Sequence, residues 1–112
     1  HEIEGEVVAV GPEAREAKPG DRRVAFPWIG CGRCAVCARG DEHLCAAPRQ
    51  LGVNIPGGYA DHVLVPHEKY LLDYTGIPDG LAATYMCSGL TAYSALRKIG
   101  QPGPDDAVLI VG

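Results

Sequence analysis

Residues 31–45 read CGRCAVCARGDEHLC and crowd Cys31, Cys34, Cys37 and Cys45 into one short stretch. The spacing is C-x2-C-x2-C-x7-C. A tetrahedral Zn²⁺ holds thiolate sulfurs at about 2.3 Å, which separates neighbouring sulfurs by roughly 3.8 Å. Two intervening residues let the backbone wrap until both sulfurs converge, and Gly32 eases that tight turn. The longer gap, with Gly40 inside it, lets Cys45 close the fourth vertex. Four thiolates around one Zn²⁺ leave a formal charge of about −2, which Arg33, Arg39 and backbone N–H donors can offset. Two disulfides are one alternative, but over so few residues they constrain little chain entropy and strain easily. An iron–sulfur cluster is the other. The ferredoxin run continues x3-C-P, whereas here the last cysteine follows seven residues and precedes Ala46. The full four-ligand set favours zinc. With no open coordination position, the expected role is structural, worth about 10–16 kcal/mol in small zinc peptides. Such a staple can fix residues 27–57, which are otherwise too long and irregular for an unpinned loop.

Composition narrows the remaining classes. The 112 residues are 46% hydrophobic, enough for one domain with a modest core. Net charge is −4 with the signs mixed and no basic run, which argues against nucleic acid. No apolar run approaches the roughly 20 residues of a membrane span, and no signal-peptide pattern is present. Fifteen glycines and nine prolines imply many turns and argue against a helical bundle. Five cysteines, an odd number, disfavour a disulfide framework, so the expected compartment is the reducing cytoplasm. The chain opens on HEIEGEVVAVG without Met and stops on DDAVLIVG. Both ends are expected to be cut edges of a longer protein. A free N-terminal His, chelating copper through its amine and imidazole, is the alternative.

The pattern along the chain predicts strands over 3–10 and 22–26, joined through a polar connection with a PGD turn. Residues 57–66 alternate as a strand does, and 69–73 suit a shorter one. Over 85–100 the period becomes helical, with Met86, Leu90, Tyr93 and Leu96 on one face. Arg97 and Lys98 occupy the last turn, Gly100 suits the C′ position and Pro102 follows. Residues 107–112, AVLIVG, form a continuous apolar run of the kind found in a strand buried on both faces of a parallel sheet.

Singly, the other candidates are weak. Cys87 amid small apolar residues reads as a buried structural cysteine, and His1 beside Glu2 as a surface residue. His43 reads as a solvated loop residue, with His62 and His67 on or beside a strand. Taken in order, however, the pieces resemble the zinc-dependent medium-chain dehydrogenases of alcohol dehydrogenase type. HExxGxVxxVG appears as His1, Glu2, Gly5, Val7, Val10 and Gly11. A GDRxxV-like element follows at Gly20, Asp21 and Val24, and CGxCxxCxxGxxxxC is complete at 31–45. GGYAD stands at 57–61, PDGL at 78–81, CxGLTAY at 87–93 and VLIVG at the end.

The resemblance implies a β-rich GroES-like catalytic domain over 1–86 with a zinc lobe at 27–50. A linking helix and the first strand of a Rossmann α/β domain follow over 87–112. It implies that His1 and Cys87 are ligands of a catalytic zinc, in addition to the structural zinc of the four-cysteine loop. Glu2 is the carboxylate behind the metal, Thr91 packs against the nicotinamide, and Trp28 lines the substrate pocket. Gly112 is the first glycine of the dinucleotide loop. The family's other cysteine ligand precedes the His-Glu pair and lies outside this chain. The segment from PDGL to Cys87 is shorter than the family pattern. The implied activity is hydride transfer between an alcohol or aldehyde and NAD or NADP, in a homo-dimer or homo-tetramer. By the same reasoning this chain alone is inactive, and activity belongs to the full-length parent. The alternative is a non-catalytic zinc module that mediates protein contacts.

Overall fold

The computed structural model describes residues 1–100, 102–109 and 111. Three short strands, β1 (Ile3–Glu6), β2 (Arg22–Ala25) and β3 (Leu71–Leu72), form an antiparallel sheet in the order β1-β2-β3. Ile3 lies opposite Ala25 and Glu6 opposite Arg22, while Val24 and Ala25 lie opposite Leu72 and Leu71. β2 is therefore central, and alternation along it sends successive side chains to opposite faces. Ala25 joins Ile29, Leu51 and Tyr70 in one apolar cluster, and Val24 joins Tyr74 and Ala82 in the other. Beyond the strand ends the ladder continues loosely, with the Val7 N–H donating to Asp21 O and the Phe26 N–H to Tyr70 O.

The cysteine stretch holds one helical turn, α1 (Ala35–Ala38), and a 3-10 turn at Glu42–Leu44. A second 3-10 turn, Glu68–Tyr70, precedes β3. The predicted helix over 85–100 is split. A 3-10 segment covers Ala82–Met86, and α2 covers Ser88–Lys98. Between them Cys87 has φ −134° and ψ −78°, outside helical geometry. Arg97 and Lys98 occupy the last turn of α2, and Gly100 follows with φ 101°, as the C-terminal signals predicted.

The strand expected over 3–10 ends at Glu6, and three further expectations differ from the structure. Residues 57–66 form no strand, because no described strand lies alongside them and a ladder needs a partner. An open cleft of about 860 Å³ separates Val63–Val65 from Val7–Val10. Residues 107–109 and 111 are likewise not a strand, and Leu109 and Val111 are 87% and 88% exposed. An all-apolar strand is stabilised only where neighbours cover both its faces, and no described element covers these residues. Ile110 and Gly112 of that predicted strand lie outside the described residues. Finally, Tyr93 and Leu96 of the apolar helix stripe are exposed, since α2 packs chiefly through its start against 82–86.

Candidate functional site

Two groups of potential ligands form. In the first, the Sγ atoms of Cys31, Cys34, Cys37 and Cys45 lie within 4.8 Å of one another. Cys31 to Cys37 is 3.9 Å, Cys34 to Cys37 is 3.5 Å and Cys34 to Cys45 is 3.8 Å. These spacings match the roughly 3.8 Å edge of a zinc–thiolate tetrahedron, so the residues fit the metal that the spacing predicted. No disulfide joins the cysteines. Gly32 takes φ 74°, a conformation costly for other residues, and so permits the turn between the first two ligands. Cys34 caps α1 by accepting from the Cys37 N–H.

The local backbone also prepares the sulfurs. The Arg33 N–H holds the Cys31 thiol down to about 6, and the Cys37 N–H lowers Cys34. Burial pushes the Cys37 thiol up to about 11. Of the two arginines expected to balance the charge, Arg33 is exposed and Arg39 is paired with Asp41 at 3.5 Å.

The second group lies across the sheet. His1 Nε2 stands 3.0 Å from Cys87 Sγ, although the residues are 86 positions apart. A tetrahedral zinc spaces an imidazole nitrogen and a thiolate sulfur by roughly 3.6 Å, so an opening of about half an ångström separates this pair from a ligand geometry. Two positions bring it together. His1 lies two residues before the start of β1, and Cys87 sits in the break before α2. The next residues zip in the same order, with the Ser88 N–H and Oγ–H donating to Glu2 Oε1 at 3.2 and 2.9 Å. Glu2 therefore anchors the start of α2 through Oε1.

Trp28 borders the pair, with its ring centroid 5.2 Å from that of His1 at an interplanar angle of 60°. Its Nε1–H donates to Met86 O at 2.9 Å. Gly52 lies behind His1, where a Cβ would stand 3.4 Å from the His1 backbone nitrogen. Thr91 lies one turn along α2, its N–H donating to Cys87 O at 2.9 Å, and is exposed. Gly112 falls outside the described residues. His43 and His62 are exposed, while His67 Nδ1 accepts from the Lys69 N–H.

One organising residue carried no local signal. Glu42, inside the cysteine loop, accepts from Lys69 Nζ at 2.6 Å, from the Tyr70 hydroxyl and from the Gly30 N–H. These donors, the lysine foremost, hold its carboxyl down to about 2. Its partners lie 27 and 28 residues away, beyond any local pattern. Glu68 plays a similar part for the 11–18 connection, accepting from the N–H groups of Arg15, Glu16 and Ala17.

The chain is similar in sequence and fold to known proteins. Over its whole length the chain is 43% identical to an NAD-dependent alcohol dehydrogenase of Saccharolobus solfataricus, covering 32% of that protein. It is 41% identical over 96 residues to the L-threonine 3-dehydrogenase of Aeromonas salmonicida, covering 28% of it. The chain thus spans about a third of the length of such relatives. Among solved structures, an NAD-dependent alcohol dehydrogenase superposes with a TM-score of 0.81 at 35% identity, over 91% of this chain and 30% of that one. The D-arabinose dehydrogenase of Sulfolobus solfataricus superposes at 0.80 with 28% identity, over 88% and 30%. Residues 1–79, from the ligand pair's histidine through the cysteine lobe and the whole sheet, match the alcohol dehydrogenase GroES-like domain, and the chain belongs to that family.

Proposed function

We propose that the whole protein oxidises an alcohol to an aldehyde or ketone with NAD as hydride acceptor, and that this chain supplies part of its catalytic metal site. The observation that carries the proposal is the 3.0 Å approach of His1 Nε2 to Cys87 Sγ. An imidazole and a thiolate are two of the ligands of an open, catalytic zinc set, and the third ligand is not among the described residues. The zinc, when bound, supplies a Lewis acid for the substrate oxygen. His1 and Cys87 would hold it. Glu2, the residue beside His1, fixes the start of α2 and with it Cys87. Trp28 walls the site with an aromatic surface, and Thr91 packs on the nicotinamide in this reading. Cys31, Cys34, Cys37 and Cys45 would hold a second, structural zinc.

In this proposal 1–86 is catalytic domain and 87–112, including Gly112, leads into the nucleotide-binding domain. The dehydrogenase relatives support the reaction class, and the two named NAD-dependent enzymes favour NAD over NADP. The cysteine chemistry, with five thiols and no disulfide, suits the cytoplasm. Among the described residues no helix is long and apolar enough to cross a membrane. Assembly as a homo-dimer or homo-tetramer completes the proposal.

The test is turnover of the full-length protein, followed as NADH formation with a panel of small alcohols. Cys87→Ala is expected to abolish turnover while the far-UV circular dichroism stays unchanged. Turnover retained within a few fold would contradict the assignment.

A further inference from the structure

The resemblance gives Trp28 one task, lining the pocket. Its contacts show another. Its ring and the His1 imidazole are tilted by 60° with centroids 5.2 Å apart, a geometry in which aromatic pairs attract. The opposite requirement, a partner for the indole N–H, is met by Met86 O at 2.9 Å, on the residue that precedes Cys87. One side chain thus touches both halves of a pair that the chain brings together from opposite ends.

The platform beneath that side chain is fixed. Pro27 and Ile29, its neighbours, are among the most completely buried side chains. The Leu51 N–H donates to Pro27 O at 3.1 Å and the Arg49 N–H to Ile29 O at 2.8 Å, so the backbone on both sides of Trp28 is tied to 49–51. The Gly52 turn, continuous with that segment, closes on the far side of His1. His1 itself is exposed and precedes the first strand, so nothing in its own element fixes its ring.

We infer that Trp28 is a positioning residue, holding the His1 ring and the Met86–Cys87 backbone at the spacing from which both can ligate one metal. This rests on the proposal that His1 and Cys87 are metal ligands. It also has a consequence for the pocket. The indole N–H is spent on Met86, so Trp28 offers a substrate only its apolar carbon surface.

The test uses the full-length protein, with zinc affinity measured by chelator competition and cobalt substitution as a spectroscopic probe. Removing groups that orient metal ligands costs about 10–100-fold in affinity. Trp28→Ala is expected to weaken the more labile metal by that factor and to alter the cobalt d–d spectrum. Trp28→Phe, which keeps a ring but deletes the N–H, is expected to fall between it and the wild type. The metal of the cysteine lobe is expected to stay bound in both and so reports on folding. If Trp28→Ala loses that metal too, Trp28→Phe decides. Wild-type affinity and spectrum with only KM raised would show a mere pocket wall and overturn the inference. His1→Ala separates the two levels. If it leaves the metal content unchanged, the ligand assignment falls and the role of Trp28 with it. If it removes one metal while the Trp28 variants bind normally, only the role of Trp28 falls.

Discussion

Cys34 does two things at once: it offers a sulfur to its three companions and it caps α1. Cys34→Ser keeps a capping atom but leaves three thiolates around an unfilled vertex. The expected result is loss of the lobe metal and a fall in Tm of roughly 5–10 °C, read by metal analysis and calorimetry. An unchanged melt would count against a structural metal there. Glu42 permits a prediction with a definite sign. Its folded carboxyl titrates at about 2, below the ordinary value of about 4.3. The stability it contributes is therefore present in full above about pH 5 and is lost as pH falls toward 2. Glu42→Gln is expected to cost about 1–2 kcal/mol at pH 7, since Lys69 loses a charged partner at the half-exposed rim. Urea unfolding at pH 7 and pH 3 checks it: the gap between variant and wild type should narrow at the lower pH. A gap that stays constant would mean that the ion pair contributes nothing.

At the scale of elements, the cysteine lobe is the clearest case of local information. Its ligands lie within a few residues of each other, so spacing alone predicted the cluster, and the Gly32 turn with it. Its docking was not legible, because Glu42 reaches Lys69 and Tyr70 across the fold. The lobe is also close-packed against its own entry segment at Gly30. A Cβ at Gly30 would collide with Cys37 Sγ and crowd the Glu42 backbone. Gly30→Ala is expected to displace that sulfur and speed zinc release to a chelator severalfold, leaving the His1–Cys87 metal in place. Equal release rates would show that the sulfur moves aside freely. Strand prediction failed for a different reason. The alternation in 57–66 marks a segment able to be a strand, but pairing is a property of two segments, and its edge has no described neighbour. The predicted helix was right over Ser88–Lys98 and in its C-terminal signals, though not in the burial of its apolar stripe. Its break at Cys87 is set by contacts with His1 and Glu2, which are tertiary.

Across the whole molecule, the meeting of residue 1 with residue 87 is an arrangement that no spacing could announce. Single-residue reasoning made His1 a surface histidine and Cys87 a core cysteine. Only the ordered resemblance placed them together, and the geometry brings them to 3.0 Å. The two ligand groups differ in chemistry as well as place. One is a closed set of four sulfurs, and the other is an imidazole and a thiolate at the junction of β1 and α2. The central claim is that these are two metal sites with separate tasks, and the direct measurement is zinc per subunit in the full-length protein and its variants. The account predicts two zinc ions in the wild type and one in His1→Ala and in Cys87→Ala, the survivor being the lobe metal that Cys34→Ser removes. One zinc in the wild type, unaffected by His1→Ala, would contradict it.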